Sequence, residues 1–253
     1  MNVQGAALAT VTAEYATLLI GLLMVRKVLH MRGISLAMLK QAWRGNFRRL
    51  LALNRDIMLR SLLLQLCFGA ITVLGARLGG DIIAVNAVLM TLLTFTAYAL
   101  DGFAYAVEAH SGQAYGARDG SQLLDVCRAA CRQSGIVAIL FSLVYALFGE
   151  HIIALLTSLP QIQLLADRYL IWQVILPLVG VWCYLLDGMF IGATRAAEMR
   201  NSMAVAAAGF ALTLLALPLL GNHGLWLALT VFLALRGLSL AFIWRRHWRN
   251  GTW

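Results

Sequence analysis

Seven stretches of about twenty mostly apolar residues, each long enough to cross a hydrocarbon core as a helix, run through this chain. They lie near residues 5–25, 51–75, 82–108, 134–158, 166–193, 199–220 and 223–244. In hydrocarbon every backbone N–H and C=O must be satisfied within the protein, so such stretches fold as helices or as closed barrels. Nothing shows the ten-residue alternation of a barrel, and only three prolines interrupt runs rich in Leu, Ala and Val. Turn signals separate the stretches at Gly79-Gly80-Asp81, between Gly116 and Gly120, at Gly149-Glu150-His151 and at Gly221-Asn222-His223-Gly224. The expected fold is an all-α polytopic membrane protein of about seven transmembrane helices, with the lipid bilayer as its solvent. Composition agrees: 12% of residues are charged and 61% hydrophobic, against about 25% charged in a soluble domain.

The placement of the basic residues gives an expected orientation. Arg26, Lys27, Arg32, Lys40, Arg44, Arg48 and Arg49 follow the first stretch; Arg118, Arg128 and Arg132, then Arg195 and Arg200, then Arg245, Arg246 and Arg249 fall in alternate later connections. The opposite connections hold only Arg77, so the positive-inside rule puts the C-terminus in the cytoplasm and the N-terminus of this chain outside. The net charge of +9 is thereby read as topology, with no nucleic-acid partner. Asn2, Gln4 and Glu14, with positive residues following the first apolar run, argue against a cleavable signal peptide. Between residues 27 and 49, Leu29, Met31, Ile34, Leu36, Leu39, Trp43 and Phe47 interleave with basic residues. That pattern suits a basic amphipathic helix in the inner headgroup layer, either a cytoplasmic linker or a lipid- or calmodulin-sensing element.

Charge at membrane depth is costly, about 2.5–3.5 kcal/mol per residue on insertion scales. Glu14, Arg60, Asp101, Glu108, Asp187 and Arg236 all fall within the apolar stretches. Asp187, in Tyr184-Leu185-Leu186-Asp187-Gly188-Met189, has no charge within a helical turn. Two readings stay open: reversible binding of a proton or cation, or ion pairing with Arg60 or Arg236. Tyr98-Ala99-Leu100-Asp101-Gly102 repeats the context of Asp187 and hints at internal duplication. Asp101, Tyr184, Arg60 and Arg236 are therefore candidates for a transport path or for pairing within the bundle. Gly75/Gly79, Gly112/Gly116 and Gly188/Gly192 have the G-x-x-x-G spacing of close helix contact. Trp172, Trp182, Tyr184 and Phe190 could line a cavity for flat organic compounds or simply pack.

Catalytic signatures are missing: no H-E-x-x-H, no G-x-S-x-G and no phosphate-binding G-x-x-x-x-G-K-[ST] occurs, so no enzyme, no cofactor and no direct ATP drive is expected. Cys127 and Cys131 form a C-x3-C pair without a second pair or a nearby histidine; free thiols are expected there and at Cys67 and Cys183, with no metal site.

Two segments look like more than generic membrane sequence. Leu186-Asp187-Gly188-Met189-Phe190-Ile191-Gly192-Ala193-Thr194-Arg195, followed by Met199-Arg200-Asn201-Ser202-Met203, resembles the tenth-helix signature of the multidrug and toxic compound extrusion (MATE) family. Asp101-Gly102-Phe103-Ala104-Tyr105-Ala106-Val107-Glu108-Ala109, with Gly112-Gln113-Ala114-Tyr115-Gly116-Ala117, resembles its eighth-helix region. Together they are most similar to the branch named for DNA-damage-inducible protein F. The resemblance implies antiport-driven efflux of drugs or other organic compounds across a bacterial inner membrane, driven by a proton or sodium gradient. It maps residues 1–26 to the last helix of a missing N-terminal lobe, 27–49 to the linker between lobes, and 50–253 to a six-helix C-terminal lobe. The chain is then expected to be half a transporter that needs the missing lobe as partner. Asp187 falls on the acidic position the family links to cation coupling. The seventh-helix acidic residue of sodium-coupled members has no counterpart in Arg60-Ser61-Leu62. The competing expectations are a lipid-linked precursor flippase, which needs a strongly basic cavity, and a non-transporting receptor or fragment.

Overall fold

The computed structural model describes residues 3–31 and 47–251 and divides the chain into two units, 1–50 and 51–253. Most of the amphipathic segment expected between residues 27 and 49 lies outside the described residues. In the first unit, α1 (Val3–Met31) is a single helix whose described side chains are all exposed or half-buried, Glu14 among the exposed ones.

The second unit is a helical lobe: α2 (Phe47–Leu78, which enters from the first unit), α3 (Gly80–Gly116), α4 (Gly120–Leu156), a short α5 (Pro160–Asp167), α6 (Leu170–Gly192), α7 (Ala196–Thr213), α8 (Leu217–Leu220) and α9 (Asn222–Arg249). One 3-10 turn, Leu214–Ala216, separates α7 from α8. Pro218 cannot supply the N–H that an unbroken helix would need there. Counting α7 through α8 as one span, seven helices among the described residues are long and apolar enough to cross a membrane. The chain is a multi-pass membrane protein.

The helices start and stop elsewhere than the apolar stretches. α4 begins fourteen residues before the expected span, so Arg128 and Arg132 lie on the helix and not in a connection. The cause is local: the Asp119 carboxylate accepts from the backbone N–H groups of Ser121 and Gln122, both at 3.0 Å, and nucleates the first turn. At 37 residues α4 is about 55 Å long, well beyond a hydrocarbon core of about 30 Å. Its basic first turns therefore project past the core. The fifth span begins at Leu170 and not at 166, because α5 takes up Asp167.

α6 is the most enclosed helix, packed by α3, α4 and α9. Lipid tails are as apolar as leucine, so small residues that let backbones meet decide where helices touch. A Cβ added at Gly188 would strike the backbone carbonyl of Ala104, and one at Gly192 the carbonyl of Glu108. Gly112 presses in turn on Gly192, while Gly116 has open space around it. Leu89, Leu176, Met203, Trp226 and Phe232 fill the main core; Leu185, Met189, Phe190 and Leu240 form a second cluster nearer the α6–α7 turn.

Candidate functional site

Asp187 sits on the buried face of α6, one residue before the glycine that seats α6 against α3. Its Oδ2 accepts from Arg60 Nη2 of α2 at 2.8 Å and also pairs with Arg236 Nη2 of α9. All three side chains are largely withdrawn from solvent, at 7% exposure for Asp187, 18% for Arg60 and 5% for Arg236. A carboxylate between two guanidiniums leaves one net positive charge, which is expensive in a low-dielectric setting. Asp101 of α3 faces the same space, and its charge acts on both arginines. With both aspartates ionised, the four groups sum to zero.

These groups line a cavity of about 330 Å³ together with Glu108, Tyr184 and apolar residues such as Phe68 and Leu233. The Arg236 guanidinium lies 5.9 Å from the Tyr184 ring centroid, within range of a cation–π contact. The Nε–H groups of Arg60 and Arg236 are buried and have no hydrogen-bond partner among the described residues. A buried donor left unmade costs about 1–3 kcal/mol.

Arg60, Asp101, Tyr184, Asp187 and Arg236 thus stand around one cavity, contributed by four different helices. Asp187 pairs with both arginines. The repeated Tyr-x-Leu-Asp-Gly elements do not play matching parts: both aspartates reach the cavity, but Tyr98 is 74% exposed. Of the aromatic candidates only Tyr184 lines it. Phe190 is fully buried in the core, Trp182 opens on a different groove, and Trp172 donates to His223 Nδ1 at 3.0 Å. Among the described residues no group of three or more His, Cys, Asp or Glu side chains could hold a metal ion, and the Cys127 and Cys131 sulfurs are 4.0 Å apart on one helix face.

Three polar clusters were not anticipated from sequence. Asn86 and Asn222 exchange two hydrogen bonds at 2.8 and 2.9 Å, and Trp226 Nε1 donates to Asn86 Oδ1 at 3.0 Å, all within the buried start of α3 and α9. At the opposite end, Glu198 Oε1 accepts from Arg195 at 2.9 Å and meets His247 Nε2 at 2.8 Å. Asp56 of α2 accepts from Arg200 of α7 at 2.6 Å. Asn86 between Val85 and Ala87 was a visible polar interruption; the Asp56–Arg200 pair spans 144 positions and has no spacing signal.

A family model described as MatE matches residues 57–219. The whole chain is 92% identical to the DNA damage-inducible protein F of Escherichia coli strain K12 and spans 55% of that protein's length. Two solved structures share the fold at 16% identity. One, described as a MOP superfamily transporter from Pyrococcus furiosus with a binding pocket of reverse polarity, has a TM-score of 0.68 over 81% of this chain and 45% of its own. The other, described as a multidrug resistance MATE family transporter in an outward-facing conformation, has a TM-score of 0.65 over 79% of this chain and 44% of its own.

Proposed function

This chain belongs to the MatE family, and from that premise we propose that it supplies one lobe of a secondary transporter that expels organic compounds in exchange for protons. The observation that carries this reading is the Asp187 carboxylate held between Arg60 and Arg236 on the wall of a cavity. A protonated Asp187 carries no charge for two guanidiniums to share. Protonation therefore loosens the ties from α6 to both α2 and α9 and bares two donors toward the cavity. A group whose charge state sets which helices are joined is what alternating access requires of a coupling site.

The same geometry favours a proton over sodium as the coupled ion. Either ion must compete with the two guanidiniums on the carboxylate; a metal cation would in addition need several further oxygen ligands, whereas a proton needs one lone pair. The substrate class follows from the wall: apolar residues with Tyr184 for an organic body, and unfilled Nε–H donors for polar atoms. Two arginines opposed by Asp101, Asp187 and Glu108 do not make the strongly basic cavity that a lipid-linked precursor flippase needs. The one-sided distribution of the basic residues supports a cytoplasmic C-terminus, in a bacterial inner membrane by analogy with the E. coli relative.

The test is efflux from proteoliposomes of the transporter containing this lobe, with an imposed pH gradient. Asp187→Asn is expected to abolish pH-driven efflux while the protein still inserts and keeps its helical content. Normal pH-driven efflux by the Asn variant would remove Asp187 from the coupling role.

A further inference from the structure

A second hollow, unconnected with the charged cavity by any shared charged residue, opens on another side of the lobe. It is a groove of about 610 Å³ between α4, α6 and α9, lined by Cys131, Leu178, Trp182, Gly237, Leu238 and Trp244 among others, and among the described residues it contains no charged side chain. On α9 the groove face runs through Ala234, Leu238 and Ala241. Four residues further along that face is Arg245, and a turn beyond it Arg249. These two, with Arg246, Phe242 and Asn250, border an adjoining hollow of about 630 Å³.

The electrostatics at this end are one-sided. Arg245, Arg246 and Arg249 are exposed, and among the described residues none has an ion pair. The acidic groups nearby are engaged: Asp119 caps α4, Asp125 lies 3.7 Å from Arg128, and Glu198 holds Arg195 and His247. Trp244 and Trp248 stack with centroids 5.7 Å apart, and a Cβ on Gly120 would lie 3.9 Å from the Trp248 ring, so this tryptophan reaches from α9 to the start of α4 at the mouth. Paired tryptophans mark the depth of the headgroups. The sequence is therefore apolar groove, tryptophan pair, free arginines, in the order of acyl chain, interface and phosphate.

We infer that this face binds an anionic phospholipid of the bilayer, one acyl chain in the groove between α4, α6 and α9 and its phosphate on Arg245 and Arg249. The arginines sit on α9 alone, and basic residues clustered at the end of a transmembrane helix attract such headgroups; Trp182 and Trp244 give the site its own fluorescent reporters.

The test uses the full chain in phosphatidylcholine bilayers, doped at equal mole fraction with phosphatidylglycerol or phosphatidylcholine carrying brominated acyl chains. Brominated phosphatidylglycerol is expected to quench tryptophan fluorescence at a lower mole fraction than brominated phosphatidylcholine, by on the order of fivefold for each arginine engaged. Arg245→Gln with Arg249→Gln should erase that preference without changing helical content, and Trp182→Phe with Trp244→Phe should remove the preferentially quenched component. Equal quenching by the two lipids overturns the inference. So does a preference that survives the arginine variant or the tryptophan variant. Trp182 and Trp244 shielded from both lipids would show that a protein segment fills the groove, and would overturn it equally.

Discussion

Two guanidiniums on one carboxylate make Asp187 the residue whose removal has the most consequences. Truncating one member of a buried ionic group costs about 3–5 kcal/mol because the remainder is left uncompensated. Arg236→Met is accordingly expected to lower stability in detergent unfolding by that order, with Asp187 then held by Arg60 alone. Adding Asp187→Asn to Arg236→Met should recover part of the loss, since the double variant buries fewer unmatched charges. A double-mutant cycle measures this, and strict additivity would deny the coupling. Asp187 was legible in the sequence because a carboxylate amid Leu185, Leu186 and Met189 has no local reason to be there. Its pairing was legible only as a choice between partners, since Arg60 lies 127 positions away and no spacing rule reaches so far. Asn86 shows the same limit: its polarity was plain, but Asn222 and Trp226 come to it only through the fold. Replacing Asn86 with Leu is expected to cost about 1–2 kcal/mol, somewhat more than one interhelical hydrogen bond in a membrane is worth. Thermal unfolding in detergent checks that figure.

At the scale of helices, the contact of α3 with α6 depends on glycines at two depths. Gly188→Ala and Gly192→Ala would each force a methyl into a backbone carbonyl of α3, and overpacking of this kind costs about 1–3 kcal/mol. Gly102→Ala and Gly116→Ala meet open space and should be neutral, which thermal melting of the four variants side by side would decide. G-x-x-x-G spacing flagged Gly112, Gly188 and Gly192 correctly but could not separate them from Gly116, because spacing does not say which face meets a partner. Helix existence was legible from apolar length alone. Helix ends were not, since polar caps set them: Asp119 starts α4 far outside the apolar run. Hydrogen bonds from Ser121 and Gln122 hold the Asp119 carboxyl below the usual carboxylate range. The sign follows from that lowering: the cap's contribution is complete above the ordinary carboxylate pKa and fades as pH falls through the lowered value. Amide exchange in the first turn of α4 should therefore quicken in acid, and Asp119→Ala should show that faster exchange already at neutral pH. Asp167 behaves oppositely. Burial, and then the charge of Glu150, raise its pKa, so its ionisation opposes folding once pH rises above the ordinary carboxylate value. Asp167→Asn should raise the melting temperature modestly at neutral pH and make little difference in acid.

Within the 51–253 lobe, α2 is tied by charge, among the described residues, to α6 through Arg60–Asp187 and to α7 through Asp56–Arg200. Sequence patterning reached the seven spans, because hydrocarbon solvation leaves few alternatives; their division into one helix and a lobe of six is what the family resemblance implies. It could not reach the cavity, which exists only where α2, α3, α6 and α9 converge. In the coupling proposed for Asp187, its charge decides whether α2 stays bound to α6. The most direct measurement is the distance between spin labels at Leu66→Cys on α2 and Leu178→Cys on α6, in a chain with its four native cysteines replaced, followed as pH is lowered. The distance distribution is expected to shift to longer values in acid, and Asp187→Asn to show the acid distribution already at neutral pH. A distribution that is unchanged by pH, or an Asn variant that keeps the neutral distribution, would contradict it.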